Sequence, residues 1–515
     1  MKVSSVKEIQ EFDNKTINEF GIPSLVLMER ASLGVVDVIE KELNYILTSK
    51  KIALIVVGTG NNGGDGLVIA RLLHTKNKQV HVLLIGNDSK RTVENNLQLD
   101  LIKKLNISHS YYSKEEFIKL AKDSDIIIDS IFGVGLIREL SGKYKEIVSL
   151  INTFDCLKLA VDIPSGIDAN TGQILGEAVK ADYTVTFAYP KTGLFMDSAI
   201  DFVGKLSVID IGIPKFYEKD LNINLVDENF IKNIAPKKRS KNSFKNQYGR
   251  LLLIGGSKNM SGAIVLAGKS ALKSGVGLLN IIVPQSIHSI VASQIPTAMV
   301  TPISEKDGHI IKDEALLNKY LDTADTVAFG PGIGTNLETE EVLKYIMENY
   351  KKPLVIDADA LNLLSKNISL LEKRNDNITV LTPHVGELSR LLNTSTQEIQ
   401  KDRILALKTF IEKYNAILVL KGVKTLISQK GEEIYINSSG SPTLARGGSG
   451  DILTGIIGSL LAQNIKQNTK AIDSVILSVY IHGLLANLAD KELNEHSIMT
   501  EELIKYLNLA FDRIK

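Results

Sequence analysis

The feature that most constrains this chain is an alternation that runs through it twice. Short β-branched apolar runs are each followed by a stretch of helical period, and crossovers of helix length between strands build parallel sheets covered by helices. The first series reads KIALIVVG, VHVLLIG, IIIDSIF, LKLAVDIP, YTVTFAYP and KLSVIDIG, with helices such as GLVIARLLHTK and EEFIKLAKD between them. A second series starts at GRLLLIGGS and continues through LLNIIVP, TVAFGPG, PLVIDADA, NITVLTPH, AILVLKG and TLISQ, ending in helices that run to Lys515. The 515 residues therefore read as two α/β domains, 1–218 and 225–515. Between them the alternation fades, and a basic run follows at Lys237, Lys238, Arg239 and Lys241: a phosphate-binding strip or a solvated connector.

Sixty basic residues against fifty-nine acidic ones leave a formal charge of +1. No global field draws the chain to nucleic acid or to an anionic membrane, so its partners are expected to be small molecules. Cys156 is the sole cysteine, and the N-terminal segment has no apolar stretch of the signal-peptide kind. No run of about eighteen apolar residues is evident. A cytoplasmic chain is expected, without nucleic-acid or membrane partners and assembled as a homo-oligomer.

In the first half, strand IALIVV leads through GTGNNGGDG into helix LVIARLL, giving Gly58, Gly60 and Gly63 the G-x-G-x-x-G spacing in a strand-to-helix context. Glycines let the backbone approach a pyrophosphate, whose charge then lies against the helix N-terminus. A redox dinucleotide domain would add an acidic residue closing the next strand, and Asp88 is only roughly placed for that. Asn61, Asn62 and Asp65 crowd the loop with side chains suited to an ion or a sugar. Two further strand ends belong to the same edge of a parallel sheet: Asp129, followed by Gly133 and Gly135, and Asp162, followed by Ser165. Each Asp alone is a common turn or cap residue. Oxygen donors from Asn62, Asp129 and Ser165 suit an alkali or alkaline-earth cation better than zinc.

In the second half, Gly262 to Ser270 mimics a phosphate loop ending in Gly-Lys-Ser, but it has five residues between the glycines and reads as apolar helix. The stronger signal is LARGGSGDILTGIIGSLLAQ. Gly447, Gly448 and Gly450 form an anion-binding nest before a long helix. Asp451 beside that nest is either a general base for a hydroxyl attacking phosphorus or a helix cap. GPGIG (Gly330 to Gly334), Asp357 with Asp359, His384 with Glu387, and LKGVKT stand at other strand ends.

FDNKTINEFGIPSLVLMERA, GTGNNGGDGLVIAR, IFGVGLIRELSG, DIPSGIDANTG and TVTFAYPKTGL together resemble the NAD(P)H-hydrate epimerase domain. That resemblance implies a Rossmann-like three-layer α/β/α fold. It implies hydrated NAD(P)H held by Asn61, Asn62, Gly63, Gly64 and Asp65 and by Gly133, Val134, Gly135, Leu136, Ile137, Arg138 and Glu139. It further implies K+ on Asn62, Asp129 and Ser165, and Asp162 against the substrate; Asp162 is the candidate acid–base catalyst. GPGIG, TPHVGE, KGVKT and GGSGD resemble the ribokinase-like superfamily and, within it, the ADP/ATP-dependent NAD(P)H-hydrate dehydratases. The second resemblance implies a ribokinase-like α/β domain that holds the adenine nucleotide, with Mg2+, on Lys421, Gly422, Val423, Lys424 and Thr425 and on Ser441 to Gly450, including Gly447, Gly448, Ser449 and Gly450. Ala263, Gly334, His384 and Asp451 would face the hydrated dinucleotide, with Asp451 catalytic. A bifunctional repair enzyme follows: it epimerises hydrated NADH or NADPH and dehydrates the S form with ADP or ATP. The alternative is a ribokinase-type small-molecule kinase with an N-terminal ligand-binding domain.

Overall fold

The structure, a computed structural model, describes residues 1–47, 51–196, 198–236, 238–467 and 469–515. Lys237 of the basic run lies outside them. The described residues divide into two compact units, Lys2–Asn222 and Ile223–Lys515, with Met1 counted in the second.

The N-terminal unit carries β1 (Ile52–Val57), β2 (Val80–Leu84), β3 (His109–Tyr111), β4 (Ser124–Ser130), β5 (Leu157–Val161), β6 (Tyr183–Phe187) and β7 (Lys205–Ile209). Their order is β3-β2-β1-β4-β5-β6-β7, and every pairing is parallel. Alternate residues of β1 enter two separate cores. Ala53, Ile55 and Val57 pack into one, and Leu54 and Val56 into the other. Such a strand is buried on both faces, which is why its sequence is a continuous apolar run and not an alternating one. Register pairs Val56 with Asp129 and Asp129 with Ala160, so the loops leaving β1, β4 and β5 open at one level of the carboxyl edge.

In the C-terminal unit the strands are β8 (Ile223–Val226), β9 (Arg250–Ile254), β10 (Leu278–Pro284), β11 (Met299–Ile303), β12 (Thr326–Phe329), β13 (Leu354–Ile356), β14 (Thr379–Leu381), β15 (Ile417–Leu420), β16 (Leu426–Ser428) and β17 (Ile434–Asn437). The order is β8-β17-β16-β15-β14-β13-β12-β9-β10-β11. This sheet is mixed, because β15, β16 and β17 run antiparallel in succession. The turn before β17 passes through Gly431 at φ +80°, a left-handed conformation that glycine adopts without strain. Gly262 to Ser270 lies within the helix Ser261–Lys273, so these residues form no phosphate loop. One expectation is corrected. The helix Ala471–Ala489 is long and apolar enough to cross a membrane by length and composition. It is instead mostly buried, because it packs into the core of this unit.

Candidate functional sites at two carboxyl edges

In the N-terminal unit the carboxyl edge opens into a cavity of about 580 Å³, lined by Asn61, Asn62, Asp65, Phe132, Gly133, Val134, Gly135, Leu136 and Asp162. The helix Asn61–Thr75 starts here with Gly60 at its N-cap and no side-chain cap, leaving first-turn amides for a ligand. Buried Arg91 and Asn95 fix the loop from behind: Asn95 Nδ2 donates to the carbonyls of Gly58 (3.1 Å) and Gly60 (2.8 Å), and Arg91 Nη1 donates to Asn95 Oδ1 (2.9 Å). A Cβ at Gly63 would stand 2.1 Å from the Gly58 carbonyl oxygen, so only glycine fits that approach. Asp88 spends its carboxylate on Arg91 (2.7 Å) and Tyr111 (2.5 Å), which accounts for it without a ribose.

Asp129 is fully buried. Its Oδ1 accepts from Ser165 Oγ (2.7 Å) and the Ile131 N–H (3.2 Å), and its Oδ2 accepts from the Ser165 N–H (2.7 Å). Burial pushes the Asp129 carboxyl up to about 6 against those bonds. Ser165 Oγ in turn accepts from the Phe132 N–H at 2.9 Å. A Cβ at Gly133 would be 3.3 Å from Asn62 Cγ, which brings Asn62 to the same loop. Both amide atoms of Asn62 are buried without a hydrogen-bond partner among the described residues. A buried carboxylate, a hydroxyl and an unpaired carboxamide form an oxygen-rich set that fits a hard cation.

Asp162 follows β5 at φ +65°, a strained conformation for a side-chain-bearing residue, with its N–H donating to the Val185 carbonyl (2.8 Å). Its Oδ1 accepts from Lys191 Nζ (2.5 Å) and Thr186 Oγ1 (2.9 Å). Lys191 is buried and also donates to Thr186 Oγ1 and the Phe187 carbonyl. Asp13 and Asp65 line the same cavity. Burial, then Asp162 and Asp13, raise the Asp65 carboxyl well above the usual range. Sequence reasoning missed Asp13 and Lys191. Lys191 had a readable signal, since it follows a Pro-fixed turn after β6. Ile137, Arg138 and Glu139 are exposed and lie outside the cavity lining, because the chain turns outward after Leu136.

In the C-terminal unit the strand ends gather around Asp357, which is fully buried. Asp357 Oδ1 accepts from Lys421 Nζ (2.9 Å) and Thr382 Oγ1 (2.7 Å), and its Oδ2 accepts from Thr454 Oγ1 (2.6 Å). Burial alone would raise this carboxyl, but Lys421 and the two hydroxyls outweigh it and leave it below the usual range. Lys421 also stands 3.8 Å from Glu387. Ala358 adopts φ +51°, another strained residue at a strand end. Thr382, Thr454 and this role for Asp357 were not foreseen.

The helix Ser449–Gln467 starts from the glycine segment, with Gly448 at φ +88° and Gly450 already inside the first turn. A Cβ at Gly450 would stand 3.6 Å from Lys421 Nζ and 3.8 Å from Asp357 Oδ2, so the nest opens directly onto the ion pair. Asp451 is the third residue of this helix. Its carboxylate makes no hydrogen bond among the described residues, so it does not cap the helix. Burial, then Asp357, push it up to about 7 against Lys421.

Gly334 donates its N–H to Asp359 Oδ2 (2.9 Å), and Ala263 packs against the Gly332 backbone. His384 plays a structural part as the N-cap of the helix Val385–Leu392, its Nδ1 accepting from the Gly386 N–H at 2.9 Å. Burial and Lys421 lower its basicity, which favours a neutral ring with the proton on Nε2. About half of the side chain remains exposed and available to a ligand. Lys424 donates to the Ser438 carbonyl (2.9 Å), Val423 is exposed, and Thr425 bonds back to Gly422. His482 on the helix Ala471–Ala489 is buried with Nε2 unpaired among the described residues, and burial lowers it to about 4.

Residues 251–509 match the protein family described as NAD(P)H-hydrate dehydratase, and residues 24–193 match that described as YjeF-related protein N-terminus. The chain is similar to the bifunctional NAD(P)H-hydrate repair enzyme Nnr of Moorella thermoacetica, at 34% identity over 98% of this chain and 96% of the relative. The enzyme of the same name from Dictyoglomus turgidum is 34% identical over 100% and 99%, and that from Coxiella burnetii 33% identical over 98% of each chain. Among solved structures, the ADP/ATP-dependent NAD(P)H-hydrate dehydratase of Bacillus subtilis is 28% identical, covering 57% of this chain and 99% of that one with a TM-score of 0.49.

Proposed function

The chain belongs to the family of bifunctional NAD(P)H-hydrate repair enzymes, and on that footing we propose how its two sites divide the work. The N-terminal cavity interconverts the R and S epimers of hydrated NADH or NADPH, and the C-terminal site dehydrates the S epimer with a phosphoryl group from ADP or ATP. The observation that carries this reading is Asp451: a carboxyl with no hydrogen bond among the described residues, raised to about 7, at the mouth of a glycine nest and beside Lys421. A group so placed takes up a proton near neutrality while phosphate is held next to it.

In the C-terminal site Lys421, Gly447, Gly448, Ser449 and Gly450 hold the nucleotide phosphates, while Ala263, Gly334 and His384 border the hydrated ring. Asp451 takes the proton of the C6 hydroxyl as its oxygen bonds to the terminal phosphorus. The phosphoanhydride bond breaks, and AMP or ADP leaves. The C6–O bond then breaks with release of phosphate, a proton leaves C5, and the ring regains its double bond. Mg2+ carried on the nucleotide would neutralise charge developing on the phosphates. In the N-terminal cavity Asn62, Asp129 and Ser165 would hold K+, whose charge offsets buried Asp129 and steadies the loop that borders the substrate. Asp162, fixed by Lys191 and Thr186, is the acid–base group at the hydrated carbon.

The test uses a mixture of both epimers with Mg2+, K+ and ADP or ATP. Released phosphate with restored absorbance of the reduced nicotinamide supports repair. A stable phosphorylated product without that absorbance would overturn it in favour of a small-molecule kinase.

A further inference from the structure

The helix Val6–Asn18 presents Ile9, Gln10, Asp13 and Ile17 to the N-terminal cavity, with Ile9, Asp13 and Ile17 spaced four apart along one stripe. The middle one carries a carboxyl where the stripe otherwise calls for an apolar side chain. Nothing local accounts for it. The helix is already started by a Ser5–Glu8 capping box, and Asp13 makes no hydrogen bond among the described residues. Its cost is real, since burial pushes the carboxyl up to about 6, with Asp162 adding to the rise and Lys191 opposing it. A fold that keeps an unpaired carboxyl in a ligand cavity at such a cost uses it on the ligand.

We propose that Asp13 is the second catalytic acid–base group of the epimerase cavity, serving one face of the hydrated ring while Asp162 serves the other. The inference rests on the epimerase reading above. Inverting C6 requires its hydroxyl to leave one face and return on the other, so proton traffic is needed on both. Asp13 enters from a helix and Asp162 from a strand end, so the cavity draws carboxyl groups from two separate elements. In one direction Asp13 gives its proton to the hydroxyl. The C6–O bond breaks, the N1 lone pair closes an N1=C6 iminium, and water departs. A water molecule then bonds to C6 from the other face and gives its proton to Asp162. The reverse reaction exchanges the roles, so the pair must carry one proton between them. Lys191, Asp162 and Asp65 are the charged and titratable groups that face Asp13, and Glu94 lines the same cavity. Burial, then Asp162 and Asp13, raise the Asp65 carboxyl well above the usual range.

The experiment uses the full chain without ADP or ATP, so that the dehydratase is idle, and follows conversion of pure S epimer to R by chromatography between about pH 5 and 8.5. Wild type should lose kcat/KM about tenfold per pH unit above the Asp13 value near 6, as the shared proton is lost. Asp13→Asn should lower kcat at least about 100-fold with little change in KM and flatten that limb, and Asp13→Glu should restore part of both. An Asp13→Asn enzyme with wild-type kcat, or one changed only in KM with the limb intact, would overturn the proposal. Should Asp13→Asn fail to fold, a wild-type profile without the limb overturns it equally. Wild-type protein that does not epimerise at all would strike the underlying epimerase reading instead.

Discussion

Replacing Lys421 by Met keeps the apolar stem but removes the ammonium 2.9 Å from Asp357 Oδ1 and 3.8 Å from Glu387. Asp357 is only 1% exposed. Stripping the partner from a buried ion pair costs about 3–5 kcal/mol, and the Thr382 and Thr454 hydroxyls cannot supply the missing charge. The pH dependence has a definite sign. In wild type the folded Asp357 value is depressed, so its contribution is present above the unfolded value of about 4 and is lost as pH falls through the folded one. In the variant the carboxyl has no counter-ion and its value rises, so the deficit is full at about pH 7 and shrinks as the solution is acidified. Hydrogen exchange read by mass spectrometry separates the units, with peptides from Lys2–Asn222 as internal control. Peptides spanning 354–366 and 449–466 should lose about 3–5 kcal/mol of opening free energy near neutral pH, and adding Asp357→Asn should recover most of it. A loss below about 1 kcal/mol at neutral pH, or a deficit that grows on acidification, would refute the ion-pair account.

Asp13→Asn should trade activity for stability. The folded value of Asp13 is raised from 3.8 to about 6, so its stabilising contribution is complete at low pH and lost as pH rises through about 6. About two pKa units correspond to about 3 kcal/mol for a full shift, so the variant should gain about 2–3 kcal/mol above pH 7 and less than about 1 kcal/mol near pH 4, as read from hydrogen exchange of the N-terminal peptides. On the proposed assignment of K+ to Asn62, Asp129 and Ser165, the K+ affinity read from activity titrations should fall as pH drops through about 6, the value to which burial raises Asp129. Gly63→Ala would drive a Cβ to 2.1 Å from the Gly58 carbonyl oxygen and must displace the loop; epimerisation should fall at least about tenfold while dehydration of pure S epimer is unchanged.

Much of this was readable because parallel sheets deliver chemistry to one edge. Residues at the ends of apolar runs, Asp129, Asp162, Ser165 and Asp357, needed only the strand-end rule to be grouped. The glycine loops carried their own signal, since Gly63 and Gly448 stand where a side chain would clash or the backbone turns left-handed. Asp13 was not legible: one polar position in an amphipathic helix looks like any other until the helix is seen to face a cavity. Thr454 meets Asp357 from 97 residues away, a contact that no local spacing encodes. The antiparallel hairpin of β16 and β17 was hidden because short apolar runs look alike whichever direction they pair. The cap reading of Asp451 failed for a geometric reason. The helix begins two residues earlier, at Ser449, leaving Asp451 inside the first turn.

The central claim, two different chemistries at two carboxyl edges of one chain, is tested most directly by how much of a mixed-epimer sample is restored to reduced nicotinamide when ADP or ATP is supplied. Wild type should restore all of it, Asp162→Asn only the S share before slowing to the uncatalysed rate, and Asp451→Asn none. An Asp162→Asn enzyme that clears both epimers as fast as wild type, or an Asp451→Asn enzyme that still restores the S form, would contradict it.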